Sequence, residues 1–480
     1  MSDPLVEDIE WRAPHEVFQA LAGEPFALLL DSATAAPGRD PALHGRWSFI
    51  AFDPFDRLTR RVSDTGKPFD EVKARLSALP PVSASPELPP FPGGAAGFFG
   101  YGLGRTLEHL PMEEKPFATD DQHLADLALG FYDTVLAFDM TETRAFIVST
   151  GWPARAAAAR HERAKARIAG IRARLAGLPR FAPPPAAMPS PIRSNFTRAD
   201  YEAAVRRVID YIHAGDVFQA NLSQRFEAQL APRDTPYALY LRLRAASPAP
   251  FSSFFNFGDG AILSSSPERF LACREGHVET KPIKGTRPRG NNPDDDKRMA
   301  AALLASEKDR AENVMIVDLL RNDISRVCAD HSVIVDKLCE LESFANVHHL
   351  VSTVRGKLQA GKTSVDLLAA CFPGGSVTGA PKRRAMEIIA ELEPTTRGPY
   401  CGAIGYLGSD GGMDSAIAIR TMVVKGGRVT FQAGGGIVCD SDPAAEYEET
   451  LAKARDMRAA LGADKETGDN AALLLAGAHS

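Results

Sequence analysis

A lysine and a glutamate in separate segments have surroundings that suit covalent chemistry and proton transfer. Lys284 lies between an apolar residue and a glycine in the run 279–289, where we expect a turn that faces a pocket. An amine whose pKa is lowered by burial or by a cationic neighbour becomes a nucleophile. Glu268 follows a strand-like segment, and a carboxyl group kept protonated by its surroundings can act as a general acid. The simpler alternatives are a solvated lysine and an ion pair between Glu268 and Arg269.

Three further carboxylates could hold a divalent cation. Glu446, Glu449 and Lys453 are spaced i, i+3 and i+7, so they share one face of a helix predicted over 444–461. Glu312 lies in another predicted helix, whose apolar residues indicate packing against the core. Those apolar residues are Val314, Ile316, Val317 and Leu320. Oxygen ligands without Cys or His suit Mg²⁺, although a solvated charged face is the alternative for the first helix.

Two glycine-rich stretches and a pair of adjacent histidines are further candidate binding motifs. The stretch 374–382 (GGSVTGAPK) lacks the Gly-Lys-Ser/Thr ending of a P-loop, which disfavours nucleotide binding by that route. Glycines 434–436 follow a predicted strand and precede the Glu446 helix, so their backbone donors could face a carboxylate. A simple bulge is the alternative there. Because adjacent residues diverge on a strand or helix, at most one of His348 and His349 points into a site.

The elements that must position these groups differ between the two halves of the chain. The first half has short β-like runs separated by Gly, Pro and Asp turns. Residues 154–178 predict one long exposed helix with a narrow apolar stripe, and the proline-rich segment 179–194 is the best linker candidate. The second half mixes strands with amphipathic helices. The expected strands of the first half include 26–30, 47–52 and 134–138.

These patterns predict an N-terminal domain over 1–185 that ends in the helix and linker. A C-terminal domain over 195–462 contains nearly all the chemically informative clusters, and a tail over 463–480 follows. The tail lacks a strong pattern, although 471–475 could form a turn of helix, and disorder is the default expectation there.

Composition restricts the class of protein. The 480 residues are 44% hydrophobic and 24% charged, as in ordinary globular enzymes, and the formal net charge of −6 argues against nucleic acid as the main partner. The six cysteines form no C-x-x-C pair, so a zinc knuckle is not expected. The N-terminus lacks the apolar core of a secretory signal, and no apolar run reaches the ~18 residues of a membrane span. We therefore expect a cytoplasmic protein without a membrane partner.

Read together, the motifs resemble the chorismate-utilising family of anthranilate synthase component I, aminodeoxychorismate synthase component I, isochorismate synthase and salicylate synthase. Over about 195–460 the resemblance is carried by GDVFQANLSQRF, SSSPERF, KPIKGTRPRG, EKDRAENVMIVDLLRND, FPGGSVTGAPKRRAMEII, GPYCGAIGY, AIAIRTMVV and QAGGGIVCDSDPAAEYEET. The first half resembles the family more weakly, in LLLDSA, GRWSFIAFDP and GGAAGFFGYGLGRTLEHLP. The resemblance implies an α+β fold, with antiparallel β-sheets packed as a sandwich, helices outside and two interleaved halves.

The resemblance also implies a reaction, the conversion of chorismate and ammonia to 4-amino-4-deoxychorismate for 4-aminobenzoate and folate synthesis. The PIKGT form around Lys284 resembles aminodeoxychorismate synthases, whereas anthranilate synthases usually have alanine in place of this lysine. The family implies that Lys284 attacks C2 of chorismate while Glu268 helps to expel the 4-hydroxyl group, after which ammonia attacks C4 and releases the lysine. Water-using members carry a lysine base near the position of Gln219, so this glutamine matches the ammonia-using branch.

The family further implies how the substrate is held. Glu312 and Glu449, with Glu446 nearby, would hold Mg²⁺ against a substrate carboxylate. Because chorismate is a dianion, a cation with Arg, Lys and backbone donors is the expected recognition set. The residues implied to bind or line the substrate are Gln219, Thr286, His349, Tyr400, Arg420, Gly435, Gly436 and Lys453. No cysteine lies in a Gly-x-Cys-x-Gly turn, so we expect ammonia from a separate glutamine amidotransferase subunit.

Two other functions compete with this interpretation. Anthranilate synthase component I is the nearer one, and His349 does not separate the two products because anthranilate synthases have a matching histidine. The other is a non-catalytic tryptophan-binding scaffold, since LLLDSA with GRWSFI resembles the family's tryptophan pocket and would place Ser32 in it. The intact catalytic pair and carboxylates argue against a silent subunit.

Overall fold

The computed structural model describes residues 3–82, 88–108, 110, 118–344 and 347–463, so nearly all of the predicted tail, including 471–475, lies outside the described residues. The strands are β1 (Leu5–Ile9), β2 (Leu28–Asp31), β3 (Trp47–Ala51), β4 (Asp56–Arg60), β5 (Gly94–Phe99), β6 (Leu127–Tyr132), β7 (Thr134–Asp139), β8 (Arg144–Ser149), β9 (Arg193–Ser194), β10 (Gln219–Gln229), β11 (Phe251–Asn256), β12 (Gly260–Ser266), β13 (Arg269–Arg274), β14 (His277–Thr280), β15 (Ile283–Pro288), β16 (Ile334–Ser343), β17 (Val347–Lys357), β18 (Gly379–Ala380), β19 (Ala403–Gly408), β20 (Met413–Ile417), β21 (Thr421–Lys425) and β22 (Arg428–Ile437). The helices are α1 (Pro14–Phe18), α2 (Pro41–His44), α3 (Pro68–Ser77), α4 (Gly104–Leu107), α5 (Ala157–Ala176), α6 (Arg198–His213), α7 (Pro236–Ala246), α8 (Pro293–Leu304), α9 (Glu307–Ser325), α10 (Ser364–Cys371), α11 (Lys382–Leu392) and α12 (Pro443–Ala460), with short 3-10 helices at Tyr101–Leu103 and Gly375–Val377.

The strands form two antiparallel sheets that both contain strands from each half of the chain. The first sheet has the order β1-β8-β7-β3-β2-β11-β12-β21-β22-β10-β18, with β9 beside β10. The second has the order β15-β17-β14-β13-β20-β19-β5-β6-β4, with β16 beside β17. The halves meet where β2 pairs with β11 and where β5 pairs with β19. The predicted α+β fold with interleaved halves is therefore confirmed.

Aromatic side chains from both sheets pack between them and form part of the core. Tyr406 of the second sheet stacks on Phe91 with ring centroids 4.5 Å apart, and its ring lies 5.6 Å from Phe49 of the first sheet. Phe98 and Phe255, again from different sheets, meet at 6.3 Å. Contacts of this kind between two inner faces are typical of a sandwich.

The predicted long helix and linker lie next to each other in the structure. Helix α5 buries its apolar stripe, Ala164, Ile168 and Ile171, against β1, β7 and β8, and exposes much of its charged surface. Residues 178–192 that follow contain neither helix nor strand. The domain boundary placed there stays a prediction, since both sheets include strands from the two sides of it. Across the described residues, no helix is both long and apolar enough to span a membrane.

One local alternative is excluded and one local prediction is wrong. The glycines at 434–436 do not form a bulge, because they continue β22 in regular register opposite β10, with Gly435 facing Leu222 and Gly436 facing Asn221. Val314 is not part of the apolar face of α9, since 47% of its surface is exposed. Residues two positions apart lie on different faces of a helix, so Val314 points away from the core that Ile316 enters.

A buried ion pair joins the helices behind the second sheet. Lys382 at the start of α11 places Nζ 2.8 Å from Oδ2 of Asp323 on α9, and it donates to the carbonyl oxygen of Cys371 at 3.1 Å. Both charged side chains are almost fully buried. Each charge depends on the other, because an unpaired charge in such a place is costly.

We expect Lys382→Met to lower the free energy of unfolding by about 3–5 kcal/mol, because it leaves Asp323 buried without its partner. Urea denaturation measures the change. The exposed neighbour Arg383 provides the matched control, and Arg383→Met should change stability by less than about 0.5 kcal/mol. Adding Asp323→Asn to Lys382→Met should restore part of the loss, and no recovery would contradict the ion-pair account.

Candidate active site

Glu268 lies in the short connection between β12 and β13 and is 6% exposed. The Ser376 hydroxyl donates a hydrogen bond to its Oε1 at 2.9 Å. Burial raises the pKa of Glu268 to about 7, although the Ser376 hydrogen bond and the positive charge of Lys284 oppose the shift. The carboxyl group is therefore partly protonated near neutral pH, which suits a general acid.

Arg269 does not neutralise Glu268. Its guanidinium donates to both carboxylate oxygens of Asp414 at 3.0 Å and to Glu279 at 3.1 Å, all on the second sheet. The alternative of an ion pair between Glu268 and Arg269 is therefore wrong. Consecutive side chains at the start of β13 diverge, which sends Arg269 away from the glutamate.

Lys284 lies within β15 rather than at a turn, so that prediction is wrong. The pairing of β15 with β17 shifts register between Ile283 and Thr286, which inserts one extra residue at Lys284–Gly285. Gly285 has φ +80°, and a Cβ atom there would lie 3.0 Å from the side chain of Asp309. The bulge thus needs glycine both for its conformation and for its space.

The environment of Lys284 makes its amine less basic. Burial lowers the pKa of Lys284, and the positive charge of Lys453 lowers it further, while Glu312, Glu268 and Glu449 act in the opposite direction. A neutral lysine amine is a nucleophile, so burial moves this side chain toward its reactive form.

Two carboxylates of α12 converge over a glycine of β22. A Cβ atom on Gly435 would lie 2.8 Å from Oε2 of Glu446 and 3.5 Å from Oε1 of Glu449. Glu446 is buried and accepts a hydrogen bond from Ser441 at 2.7 Å, whereas half of the Glu449 side chain is exposed. The helix face is therefore partly packed against the sheet rather than wholly solvated.

Lys453 joins this helix face to the strand below it. Its Nζ lies 2.6 Å from Oε1 of Glu449 and donates to the carbonyl oxygen of Gly434 at 2.8 Å. Although burial favours its neutral form, Lys453 and Lys284 hold the pKa of Glu449 below its usual value. Burial and the charge of Glu449 raise the pKa of Glu446.

The carboxylates fit a divalent cation only as an incomplete site. Among the residues that the structure describes, no three His, Cys, Asp or Glu side chains come close enough to hold a metal ion. Burial raises the pKa of Glu312, and the charge of Glu449 adds to the shift, so these acids share one electrostatic environment. Mg²⁺ commonly takes one or two carboxylates and completes its shell with substrate oxygens and water, and this donor set matches that pattern.

Arg420 supplies a partly buried positive charge in the short connection between β20 and β21. In the described ranges no carboxylate lies within ion-pair distance of its guanidinium, and burial lowers the pKa of Arg420. Tyr400 nearby is almost completely buried. A partly desolvated guanidinium with no carboxylate of the described residues at ion-pair distance favours an anionic ligand.

The Gln219 side chain is enclosed and unpartnered. It has no exposed surface, and neither atom of its amide forms a hydrogen bond within the described part of the chain. A Cβ atom on Gly436 would lie 2.2 Å from its Nε2, so glycine is needed beneath the amide. A buried polar group left unpaired is costly, which suggests that a ligand completes its hydrogen bonding.

The two histidines of β17 have different environments, as expected from strand alternation. His349 contacts Oγ1 of Thr286 through Nδ1 at 2.8 Å, and burial lowers its pKa to about 4. His348 contacts Asp296 and Ser343 instead. His349 is therefore neutral at physiological pH and can exchange a hydrogen bond but not supply a charge.

Arg397 and Glu393, which the sequence analysis does not predict, connect the backbone segments beside the site. The Arg397 guanidinium donates to the carbonyl oxygens of Val377 at 2.9 Å and Asn221 at 2.8 Å, and it pairs with Glu393 at 2.7 Å. Ser376 precedes Val377 and bonds to Glu268. Nothing in the spacing of the stretch 374–382 signals these contacts.

Ser32 lies elsewhere. It lines a cavity of about 290 Å³ between the sheets, whose walls include Trp47, Arg269 and Met413 but no other predicted site residue. Its hydroxyl donates to the carbonyl oxygen of Trp47 at 2.8 Å. The cavity is thus separate from the Lys284 site, and its occupation by tryptophan stays a prediction.

Comparison with known proteins identifies the family of this chain. The model of the chorismate binding enzyme family matches residues 28–459. Aminodeoxychorismate synthase component 1 of Salmonella typhimurium is 42% identical over 465 residues, covering 94% of this chain and 96% of that protein. Anthranilate synthase component 1 of Thermus thermophilus is 44% identical over 399 residues, covering 83% of each. The crystal structure of anthranilate synthase component I from Streptococcus pneumoniae has a TM-score of 0.74 at 34% identity, covering 86% of this chain and 92% of that one.

We expect Ser376→Ala to raise the pKa of Glu268 above its value of about 7, because the hydroxyl stabilises the carboxylate form. The protonated carboxyl band in infrared spectra, recorded across a pH titration and corrected with Glu268→Gln, measures the midpoint. Ser376→Thr keeps the hydroxyl and is the matched control. An unchanged midpoint in Ser376→Ala would contradict the assigned hydrogen bond.

Proposed function

We propose that this chain, which belongs to the chorismate binding enzyme family, is the chorismate-converting subunit of an aminodeoxychorismate synthase. It would combine chorismate with ammonia to give 4-amino-4-deoxychorismate for 4-aminobenzoate and folate synthesis. The observation that carries the proposal is that the buried Glu268 and the partly buried Lys284 share one site and have pKa values moved toward each other. Similarity to aminodeoxychorismate synthase component 1 over 94% of the chain supports it.

The first step joins Lys284 to the substrate. The neutral amine forms a bond to C2, the ring double bonds shift, and the C4–O bond breaks. Glu268 gives its proton to the departing hydroxyl group, which leaves as water, and its carboxylate accepts the proton that the alkylated nitrogen releases. A dianion bound nearby raises the pKa of Glu268 further, so the acid form persists above neutral pH.

The second step installs the amine. Ammonia forms a bond to C4, the double bonds shift back, and the C2–N bond to Lys284 breaks. Glu268 returns the proton to the departing lysine nitrogen, and the new C4 ammonium group loses one. The Gln219 amide would orient the incoming nucleophile or the C4 substituent, since it is uncharged and fully enclosed and both of its polar atoms lack a partner in the described residues.

The substrate dianion would be held by charges and backbone donors. Arg420 has no carboxylate of the described residues within ion-pair distance, and the backbone of Gly435 and Gly436, which pack beneath Glu446 and Gln219, would supply donors at the same edge of the pocket. Lys453, Tyr400, Thr286 and His349 would complete the pocket. Glu312, Glu446 and Glu449 would hold Mg²⁺, which supplies charge neutralisation for a substrate carboxylate when it is bound.

A separate glutamine amidotransferase subunit would supply the ammonia. The relatives named above are each a component 1, and no cysteine of this chain lies in a Gly-x-Cys-x-Gly turn. Anthranilate synthesis is the second candidate function, favoured by 44% identity to the Thermus protein. The lysine at position 284 favours 4-amino-4-deoxychorismate over anthranilate as the product.

Purified protein with chorismate, Mg²⁺ and ammonium at a pH near 8.5 should form an amino-chorismate that a lyase converts to 4-aminobenzoate. Mass spectrometry and fluorescence identify the product. We expect Lys284→Ala to lower the rate by at least about 10²-fold, because it removes the nucleophile. Lys281→Ala, a nearby lysine that pairs with Glu342, is the matched control. Fluorescent anthranilate as the product would contradict the proposal.

Glu449→Gln should raise the Mg²⁺ concentration that gives half-maximal activity by about tenfold or more, because one charged oxygen ligand is lost. Titration of Mg²⁺ after removal of metal with EDTA measures the shift. Glu448→Gln, on the neighbouring exposed position of α12, is the control and should leave the titration unchanged. An equal response in both variants would remove Glu449 from the metal site.

A further inference from the structure

We infer that the surface around Phe218 is where the ammonia-supplying glutaminase subunit docks. This inference rests on the proposed function, since it assumes that ammonia comes from a partner. Four properties of the surface support it: exposure of the aromatic ring, a fixed backbone, flanking arginines and direct continuity with the enclosed Gln219.

Phe218 exposes 71% of its surface. Of the large hydrophobic side chains exposed in the described residues, it is the most exposed and the only aromatic one. A ring left in water forgoes the free energy that burial of an apolar side chain normally gains. Exposed aromatic residues that fill a pocket on a partner are typical anchors of protein interfaces.

The backbone at Phe218 is held in place rather than free to collapse onto the protein. Its N–H donates to the carbonyl oxygen of Ala380 at 2.7 Å, and the next residue begins the pairing of β10 with β18. Strand β18 is the last strand of the first sheet, and Pro381 beside it is exposed. The ring is therefore presented from a fixed edge, which lowers the entropy lost on binding.

Arginines of α11 flank this apolar spot. Arg384 pairs with Asp216 in the loop before Phe218, at 2.7 Å, and with Glu387 of its own helix at 3.1 Å. The Arg383 side chain is 58% exposed and also pairs with Glu387. An aromatic centre with a cationic rim fits a partner with an apolar pocket and acidic residues at its edge.

The same strand connects the surface to the active site. Consecutive residues of a strand point to opposite sides, so Phe218 faces outward where Gln219 faces inward over Gly436. The exposed ring and the enclosed amide are therefore one residue apart along the chain. A partner seated on Phe218 would release ammonia next to the wall of the site, away from bulk solvent, where ammonia is largely protonated at neutral pH.

The test compares two ammonia sources in the same enzyme. Phe218→Ala is assayed with the component 2 glutaminase of the same organism plus glutamine, and separately with saturating ammonium salt. We expect the affinity for the glutaminase and the glutamine-dependent rate at limiting glutaminase to fall at least about tenfold, as for loss of an interface anchor. The ammonium-dependent rate should stay within about twofold. Met188→Ala, which removes another exposed hydrophobic side chain at 60% exposure, is the matched control.

Each outcome is decisive. Full glutamine-dependent activity and affinity in Phe218→Ala would overturn the docking surface while leaving the proposed function intact. Equal losses with glutamine and with ammonium would also overturn it, since Phe218 would then act on the site itself. A wild-type enzyme that makes no aminated chorismate from ammonium salt would instead refute the proposed function.

Discussion

Burial of an acid and an amine in the same site is the constraint on which this structure depends. Removal of water raises the pKa of Glu268 to about 7 and lowers that of Lys284, so each group moves toward its neutral form. In water at neutral pH the carboxyl group would be ionised and the amine protonated, so neither could play the part that we propose for it. The fold must therefore exclude solvent while still admitting a dianion.

The two sheets build this enclosed site from one regular strand pairing and one bulge. The regular part is the long pairing of β10 with β22, where glycines leave space for the Gln219 amide and the α12 carboxylates. The irregular part is the bulge at Lys284, which aims one side chain without breaking the second sheet. The buried Arg397–Glu393 pair ties the segment carrying Ser376 to β10, so the acid and the pocket wall keep a fixed separation.

Sequence patterns predict elements whose determinants are local. Helices α5 and α12 match their predictions within a few residues, because the helix-forming residue types and their spacing are encoded within each segment. Local sequence patterns also predict the strand at 134–138 and the position of Glu268 at the end of a strand. No local pattern predicts the bulge at Lys284, because its register is set by pairing with β17, more than sixty residues away. Ser376 bonds to a residue 108 positions distant, a contact that no local spacing reveals.

The covalent bond between Lys284 and the substrate is the central claim, and mass spectrometry of the protein tests it most directly. The enzyme is mixed with chorismate and Mg²⁺ without ammonia, quenched in acid and mapped by peptides. The account predicts that the peptide containing Lys284 gains the mass of chorismate less one water, and that the gain disappears when ammonia is added. An enzyme that aminates chorismate while this peptide stays unmodified under all conditions would contradict it.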